Sequence, residues 1–177
     1  VRELATLYRS FGQGHESPLP ELAIQYADFA AWQRGYLQGE VLARQLTWWK
    51  AQLADAPELL QLPSDRPRPA QQSFRGDAVA VQLAPGLTQQ LRQVSRAQNS
   101  TLYMTLLAAF QVLLYRYTGQ RDIVVGSPIA NRNHQAVEGL IGFFVNTMAL
   151  RTHLDANPTF GEVLAQVQAT TQAAYDH

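Results

Sequence analysis

Hydrophobic positions along the chain follow two spacings, and each spacing predicts one kind of element. Intervals of three and four residues, as between Leu4 and Phe11, are typical of an amphipathic helix, whereas alternation, as between Val79 and Leu83, is typical of a strand. The sequence therefore predicts helices at Val1–Gly12, Leu22–Leu53 with a break near Gly35 or Gly39, Pro85–Val94, Thr101–Thr118, Ala136–Leu140 and from Phe160 onward, and strands at Gly76–Leu83, Ile123–Val125 and Phe144–Leu154.

The predicted helices and strands alternate along the chain. Such alternation favours an α/β fold in which helices flank a mixed sheet. The helix at Thr101–Thr118 is apolar almost all round and is expected to be buried. Four prolines between Asp55 and Gln72 predict an irregular connector. The helical patterns at both ends lack cap and stop signals, so we expect the sequence to be a piece of a longer chain. The alternative is a domain whose terminal helices fray.

The amino-acid composition argues against several classes of function. Hydrophobic residues make up 46% and charged residues 16% of the 177 positions, which is typical of a chain that folds around a core. Fourteen basic and fourteen acidic side chains cancel, which argues against electrostatic binding to nucleic acid. There is no cysteine, and the most apolar run, Leu102–Tyr117, is too short for a membrane span, so a cytoplasmic protein is predicted.

The sequence contains no complete catalytic constellation. None of its four histidines lies at metal-ligand spacing from another ligand, so no metal site is predicted. Gly12–Gly14 is half of a dinucleotide fingerprint but follows a predicted helix instead of a strand. Gly126–Pro128 lacks the second glycine of a nucleophile elbow.

Three segments are candidates for function, and each also has a plain structural interpretation. Tyr26–Trp32 places Asp28 and Trp32 four residues apart on one helix face, which would equally suit a solvated acid beside a packed indole. Gly126–Arg132 follows a buried strand, where functional loops are common, but it also suits an ordinary turn.

The third segment is Ile141–Arg151, which places Asn146 among apolar residues. If the segment is a strand, Asn146 shares a face with Phe144 and Met148. A buried amide needs hydrogen-bond partners. Asn146 is therefore either a core residue satisfied by backbone or an amide that lines a substrate channel.

Together these segments resemble the condensation domains of nonribosomal peptide synthetases. Tyr26–Trp32 is similar to the fourth core motif of that family and Ile141–Arg151 to the fifth, while Asp176 and His177 resemble the approach to the sixth. Further similarity lies in the connector at Leu62–Pro69 and Phe74–Gly76 and in the loop at Asp122–Arg132. The family's His-His-x-x-x-Asp-Gly run is absent, and Val1–Leu4 resembles the helix that follows it.

The resemblance implies a fold, an activity and partners. The fold would be one lobe of the two-lobed chloramphenicol acetyltransferase-like architecture, with bridging helices and a connector at 1–72 and a C-terminal lobe at 73–177. The parent domain would join carrier-bound aminoacyl or peptidyl thioesters in antibiotic and other secondary-metabolite biosynthesis. No cofactor would bind directly, because phosphopantetheine would be carried by the partner proteins. The catalytic histidine is expected upstream of Val1, so this chain alone is expected to be inactive.

The resemblance also assigns roles to residues and partners. The implied substrate-channel residues are Gly142, Phe144, Asn146 and Thr147, and the implied structural or lobe-contact residues are Tyr26, Asp28, Trp32, Arg132 and Arg151. The implied partners are donor and acceptor carrier proteins, the N-terminal lobe and an adenylation domain, with self-association through an exposed lobe face. Two alternatives remain: a non-catalytic docking lobe, and a fragment of an epimerisation or heterocyclisation domain.

Overall fold

A computed structural model describes all 177 residues, which form seven helices and two strands. They fall into two units: residues 1–42 with 130–145, and residues 43–129 with 146–177. In chain order the elements are α1 (Arg2–Gly12), α2 (Tyr26–Tyr36), α3 (Gly39–Gln52), α4 (Pro85–Ala97), α5 (Leu102–Thr118), β1 (Asp122–Ile129), α6 (Gln135–Glu138), β2 (Asn146–His153) and α7 (Phe160–Asp176).

The core of the second unit lies between its sheet and two long helices. The strands β1 and β2 pair antiparallel, from Asp122 opposite His153 to Ile129 opposite Asn146. Helix α7 packs on both β2 and α5, and α4 packs on α5. The buried apolar side chains of this core are Met104, Leu107, Ala108, Leu114, Ile123, Met148, Leu150, Leu154, Val163, Leu164, Val167 and Ala174.

Local capping chemistry sets the ends of the long helices. The Thr101 hydroxyl accepts a hydrogen bond from Met104 N at 3.2 Å, and Gly119 ends α5 with φ 71°. At the start of α7, Thr159 N donates to a Glu162 carboxylate oxygen at 2.7 Å, and Glu162 N donates back to the Thr159 hydroxyl at 3.3 Å. Hydrogen bonds from the Thr159 backbone and hydroxyl lower the pKa of Glu162.

The first unit has a smaller apolar cluster. Val137, Leu140 and Phe144 are buried, and Ile24, Tyr26 and Phe29 pack against them. We call these six residues the Phe144 cluster. Helix α3 crosses the boundary between the two units, which falls after Leu42.

The α/β class with flanking helices agrees with the structure, but one predicted strand is wrong. Gly76–Leu83 joins no sheet, and Val79 and Val81 are 88% and 79% exposed. Alternation marks the two sides of an extended chain, but a strand forms only when its backbone groups pair with a neighbour. The two strands that do pair are antiparallel. The sheet within this chain therefore lacks the parallel pairing that a mixed sheet requires.

Two other elements differ from expectation in extent. Strand β1 continues past Gly126 to Ile129 and includes Pro128, which is tolerated because β1 has only one neighbour in the sheet. Helix α5 is buried on one face only, because side chains such as Phe110 and Leu113 are 46% and 50% exposed.

Candidate functional site

Phe144 is the centre of the packed loop that precedes β2. Its side chain is 3% exposed and contacts two rings of α2: Tyr26, edge-on at 5.2 Å between centroids, and Phe29 at 4.7 Å. Aromatic pairs at these separations add to the stabilisation from burial. The family resemblance implies that Phe144 lines a substrate channel. Within its own unit, Phe144 is a core residue.

Gly142 lies where Tyr26 needs open space. The Tyr26 hydroxyl donates to the Phe143 carbonyl at 2.9 Å, which fixes the ring against the 141–144 backbone. A Cβ atom added at Gly142 would overlap that ring, because Tyr26 Cγ and Cε2 would be only 2.7 and 2.9 Å away. The structure therefore brings Tyr26, Gly142 and Phe144 together and gives a steric reason for the glycine.

Arg132 binds backbone carbonyls on the other side of this loop. Its Nη1 atom donates to the carbonyl oxygens of Leu140 at 3.0 Å, Glu138 at 3.4 Å and Val137. The guanidinium carbon lies 4.1 Å from the centroid of the Phe144 ring. One planar cation thus bonds carbonyls at and just beyond the end of α6 and also covers the ring in a cation–π contact.

Asp28 and Trp32 have separate roles on α2. The Asp28 carboxylate accepts a hydrogen bond from Gln25 N at 2.8 Å, so it caps the start of the helix. Trp32 is 59% exposed and stacks on Tyr36 with ring centroids 5.2 Å apart and planes 10° apart. The Trp32 ring is therefore a surface group and not part of a packed core.

Asn146 and Thr147 begin β2, opposite Ile129 and Pro128 of β1. Asn146 is exposed, and its side-chain oxygen accepts from Thr147 N at 2.8 Å. Its Nδ2 group has no acceptor within the chain. The interpretation of Asn146 as a core amide is therefore wrong: one end of the amide is fixed by backbone, and the donor end is free.

Arg151 is the most fully bonded side chain of the predicted set. Its Nε and Nη2 atoms donate to the two carboxylate oxygens of Asp122 at 2.9 and 2.6 Å, across the β1–β2 pair. Its Nη1 atom also donates to the carbonyls of Gln52 at 3.0 Å and Ala54 at 2.6 Å. The hydrogen bonds and charge of Arg151 lower the pKa of Asp122, against an opposing effect of burial, and His153 lowers it further.

One polar contact in the segment 126–132 was not predicted. The Tyr103 hydroxyl donates to the Ser127 hydroxyl at 2.6 Å, and Ser127 is 8% exposed. Tyr103 lies in the helix predicted at Thr101–Thr118, and no spacing signal links it to a serine twenty-four residues away.

The titratable residues show no arrangement suited to a metal. No group of three His, Cys, Asp or Glu side chains is close enough to hold an ion. No helix has both the length and the apolar character needed to cross a bilayer.

A family model for the condensation domain matches residues 1–177. The chain belongs to the condensation domain family. It is 55% identical over all 177 residues to one of the linear gramicidin synthase proteins of Brevibacillus parabrevis and 49% identical to chondramide synthase of Chondromyces crocatus. The chain spans 4% of the length of each of these two relatives.

Solved structures agree with the fold. The X-domain from teicoplanin biosynthesis is similar over 98% of this chain and 40% of its own, with 33% identity and a TM-score of 0.90. The first condensation domain of the CDA synthetase has the same fold over 98% of this chain and 38% of its own, with 22% identity and a TM-score of 0.74. The predicted resemblance and the chloramphenicol acetyltransferase-like fold class are confirmed.

Proposed function

We propose that this chain is the C-terminal lobe portion of a nonribosomal peptide synthetase condensation domain whose parent joins two carrier-bound substrates. The observation that carries this proposal is the match of the family model to every residue. In the reaction, the acceptor amine nitrogen attacks the donor thioester carbonyl. A C–N bond forms, the C–S bond breaks, and the proton lost by the amine nitrogen balances the one gained by the departing thiolate, which leaves as the thiol. Because a thioester is already activated, positioning can supply much of the rate.

We assign the channel contribution of this chain to Gly142, Phe144, Asn146 and Thr147. The exposed Asn146 amide supports the assignment most directly, because Nδ2 is a free donor while Oδ1 is held by Thr147 N. An amide fixed at one end can hydrogen-bond a carbonyl of a passing substrate or of a pantetheine arm without losing much side-chain entropy. Phosphopantetheine itself would come with the carrier proteins, and no residue of this chain is proposed to attach it.

Tyr26, Asp28, Trp32, Arg132 and Arg151 are proposed as structural or lobe-contact residues. Four of them bond backbone groups within their own unit: Tyr26 bonds Phe143, Asp28 bonds Gln25, Arg132 bonds 137–140, and Arg151 bonds Gln52 and Ala54. Trp32 instead has an exposed ring suited to contact with another surface. Residues 1–72 are proposed to form the bridging helices and the proline-rich connector, and residues 73–177 the C-terminal lobe.

The base or oxyanion-stabilising histidine is proposed to lie outside this chain. None of the four histidines belongs to a His-His-x-x-x-Asp-Gly run. His134 supports this view, because its ring nitrogen Nδ1 accepts from Ala136 N and caps α6. The 177-residue chain would therefore shape the reaction site without moving a proton.

The partners that follow are donor and acceptor carrier proteins, the N-terminal lobe, an adenylation domain and a second copy of this chain. The solved four-domain nonribosomal peptide synthetase, 30% identical over 75% of this chain, supports a multidomain setting. No observation favours a docking lobe without activity, or an epimerisation or heterocyclisation domain.

The test is a single-turnover condensation assay with two loaded carrier proteins. The complete domain that contains this sequence should form the peptide, and the 177-residue chain alone should form none. Turnover by the chain alone, or no peptide from the complete domain, would contradict the proposal.

A substitution in the complete domain separates the function from the role of Asn146. Asn146→Ala should lower the condensation rate about tenfold through lost positioning. The matched control is Asn133→Ala, since Asn133 is also exposed and its side chain makes no hydrogen bond within the chain. Equal rates for the two variants would remove Asn146 from the channel while leaving the peptide-forming function intact.

A further inference from the structure

The junction between α4 and α5 carries a local excess of positive charge. From Ala78 to Arg121 the sequence has no Asp or Glu, although the chain as a whole is neutral. Arg92 and Arg96 lie one turn apart near the end of α4, and both are exposed. Neither guanidinium makes a salt bridge or a hydrogen bond within the chain. The one salt bridge of the chain joins Arg151 to Asp122.

These two arginines line an open depression. Its volume is about 330 Å³, and its other lining residues are Ser95, Ser100 and Leu102. That volume lies at the lower end of the range for small-ligand sites. A group that enters it meets two cations, a serine hydroxyl and the start of α5.

Ser95, which lines the depression, is buried and hydrogen-bonded. Ser95 is 3% exposed, and its hydroxyl lies 2.7 Å from the Thr105 hydroxyl while also donating to the Leu91 carbonyl at 2.8 Å. This pair joins α4 to α5. The connecting turn is also held, because Ser100 N donates to the Ser95 carbonyl at 2.8 Å.

Helix α5, whose first residue Leu102 lines the depression, begins with backbone donors that have no acceptor in the chain. Thr101 caps α5 by accepting from Met104 N, but Leu102 N and Tyr103 N have no acceptor within the chain. Backbone N–H groups beside unpaired arginines suit an oxyanion with several acceptor oxygens. Two guanidinium groups match the charge of a dianion better than that of a single carboxylate.

We propose that this depression, lined by Arg92 and Arg96, is a binding site for a dianionic phosphate group. The site involves none of the residues assigned to condensation, so it stands or falls separately from that function. A small phosphate-bearing molecule fits its volume, and the arginines would bind the phosphate oxygens.

The test is an NMR titration of the 177-residue chain with inorganic phosphate at about pH 7.5, where phosphate is mostly dianionic. Saturable shifts are expected for the Ser100, Leu102 and Tyr103 amides. Sodium chloride at matched ionic strength and sodium acetate are the reference titrations. An equal response to chloride would show screening only, an equal response to acetate would show a carboxylate site, and either result would overturn the proposal.

Variants give the second arm of the test. Arg92→Gln combined with Arg96→Gln should weaken phosphate binding at least about tenfold, since hydrogen bonds to charged groups are strong. Arg116→Gln on α5 is the control, because Arg116 is exposed, lies outside the depression and makes no hydrogen bond within the chain. Affinity unchanged in the double variant, or equally reduced in the control, would overturn the assignment.

Discussion

Arg151 shows how one side chain can join three segments. Its guanidinium binds both oxygens of Asp122 on the neighbouring strand, the carbonyl of Gln52 at the end of α3 and the carbonyl of Ala54 just beyond it. The two charged side chains are 19% and 23% exposed, so solvent screens the pair only in part. Lysine could not reproduce the forked geometry.

The Arg151–Asp122 pair predicts a pH-dependent stability. The pKa of Asp122 in the folded chain lies below its unfolded value of about 3.9. The stabilisation is therefore fully present above the unfolded pKa and is lost as pH falls through the folded pKa. Asp122→Asn should lower the free energy of unfolding by about 1–2 kcal/mol at pH 7, and by progressively less below about pH 4.

Urea denaturation at several pH values measures this difference. Asp155→Asn is the matched control, because Asp155 is exposed and makes no salt bridge within the chain. It should change the free energy of unfolding little at any pH. A difference between the wild type and Asp122→Asn that stays constant from neutral to acid pH would contradict the prediction.

At the scale of elements, the positions where helices begin and end could be predicted from the sequence. The break between α2 and α3 falls near Gly39, whose φ of 53° favours glycine, and α5 runs from the Thr101 cap to Gly119 as predicted. Each of these ends depends on residues within a few positions, and spacing captures such contacts.

Contacts between segments that are distant in the sequence could not be predicted. Tyr26 bonds Phe143, and Tyr103 bonds Ser127, through partners that only the folded chain brings together. The error at Gly76–Leu83 has the same origin, because alternation does not reveal whether a neighbouring strand exists. The motifs identified the family, whereas the free donor of Asn146 required the structure.

The packing of Gly142 against Tyr26 predicts a sharp effect of one methyl group. Gly142→Ala should force the Tyr26 ring away and loosen the Phe144 cluster, with a loss of about 1–3 kcal/mol by overpacking. Chemical denaturation followed by near-ultraviolet circular dichroism measures both the stability and the aromatic packing.

Gly139→Ala is the control for this substitution. Gly139 lies in the same loop with φ −83°, and an added Cβ would meet nothing within 4 Å. It should leave the aromatic signal unchanged. Equal behaviour of the two alanine variants would show that the Tyr26 ring yields without strain.

For the whole molecule, the exposed face of α5 is a regular apolar feature. Leu106, Phe110, Leu113 and Tyr117 are 40%, 46%, 50% and 64% exposed. We call these four residues the outer stripe of α5. Their spacing of four, three and four residues is that of a coiled-coil seam. A stripe of this kind on one chain matches the same stripe on a second copy.

We therefore expect the 177-residue chain to form dimers through the outer stripe of α5. Sedimentation velocity at increasing concentration should show a shift from monomer to dimer. Leu106→Lys combined with Leu113→Lys should weaken dimerisation at least about tenfold, because each change removes apolar area from the interface and places a charge there.

The control is Leu87→Lys with Val94→Lys on α4, which has the same seven-residue spacing and similar exposure of 45% and 42%. If dimerisation used apolar surface without regard to location, both pairs of substitutions would weaken it equally. A wild-type chain that stays monomeric at about 1 mM would exclude the outer stripe as a self-association surface.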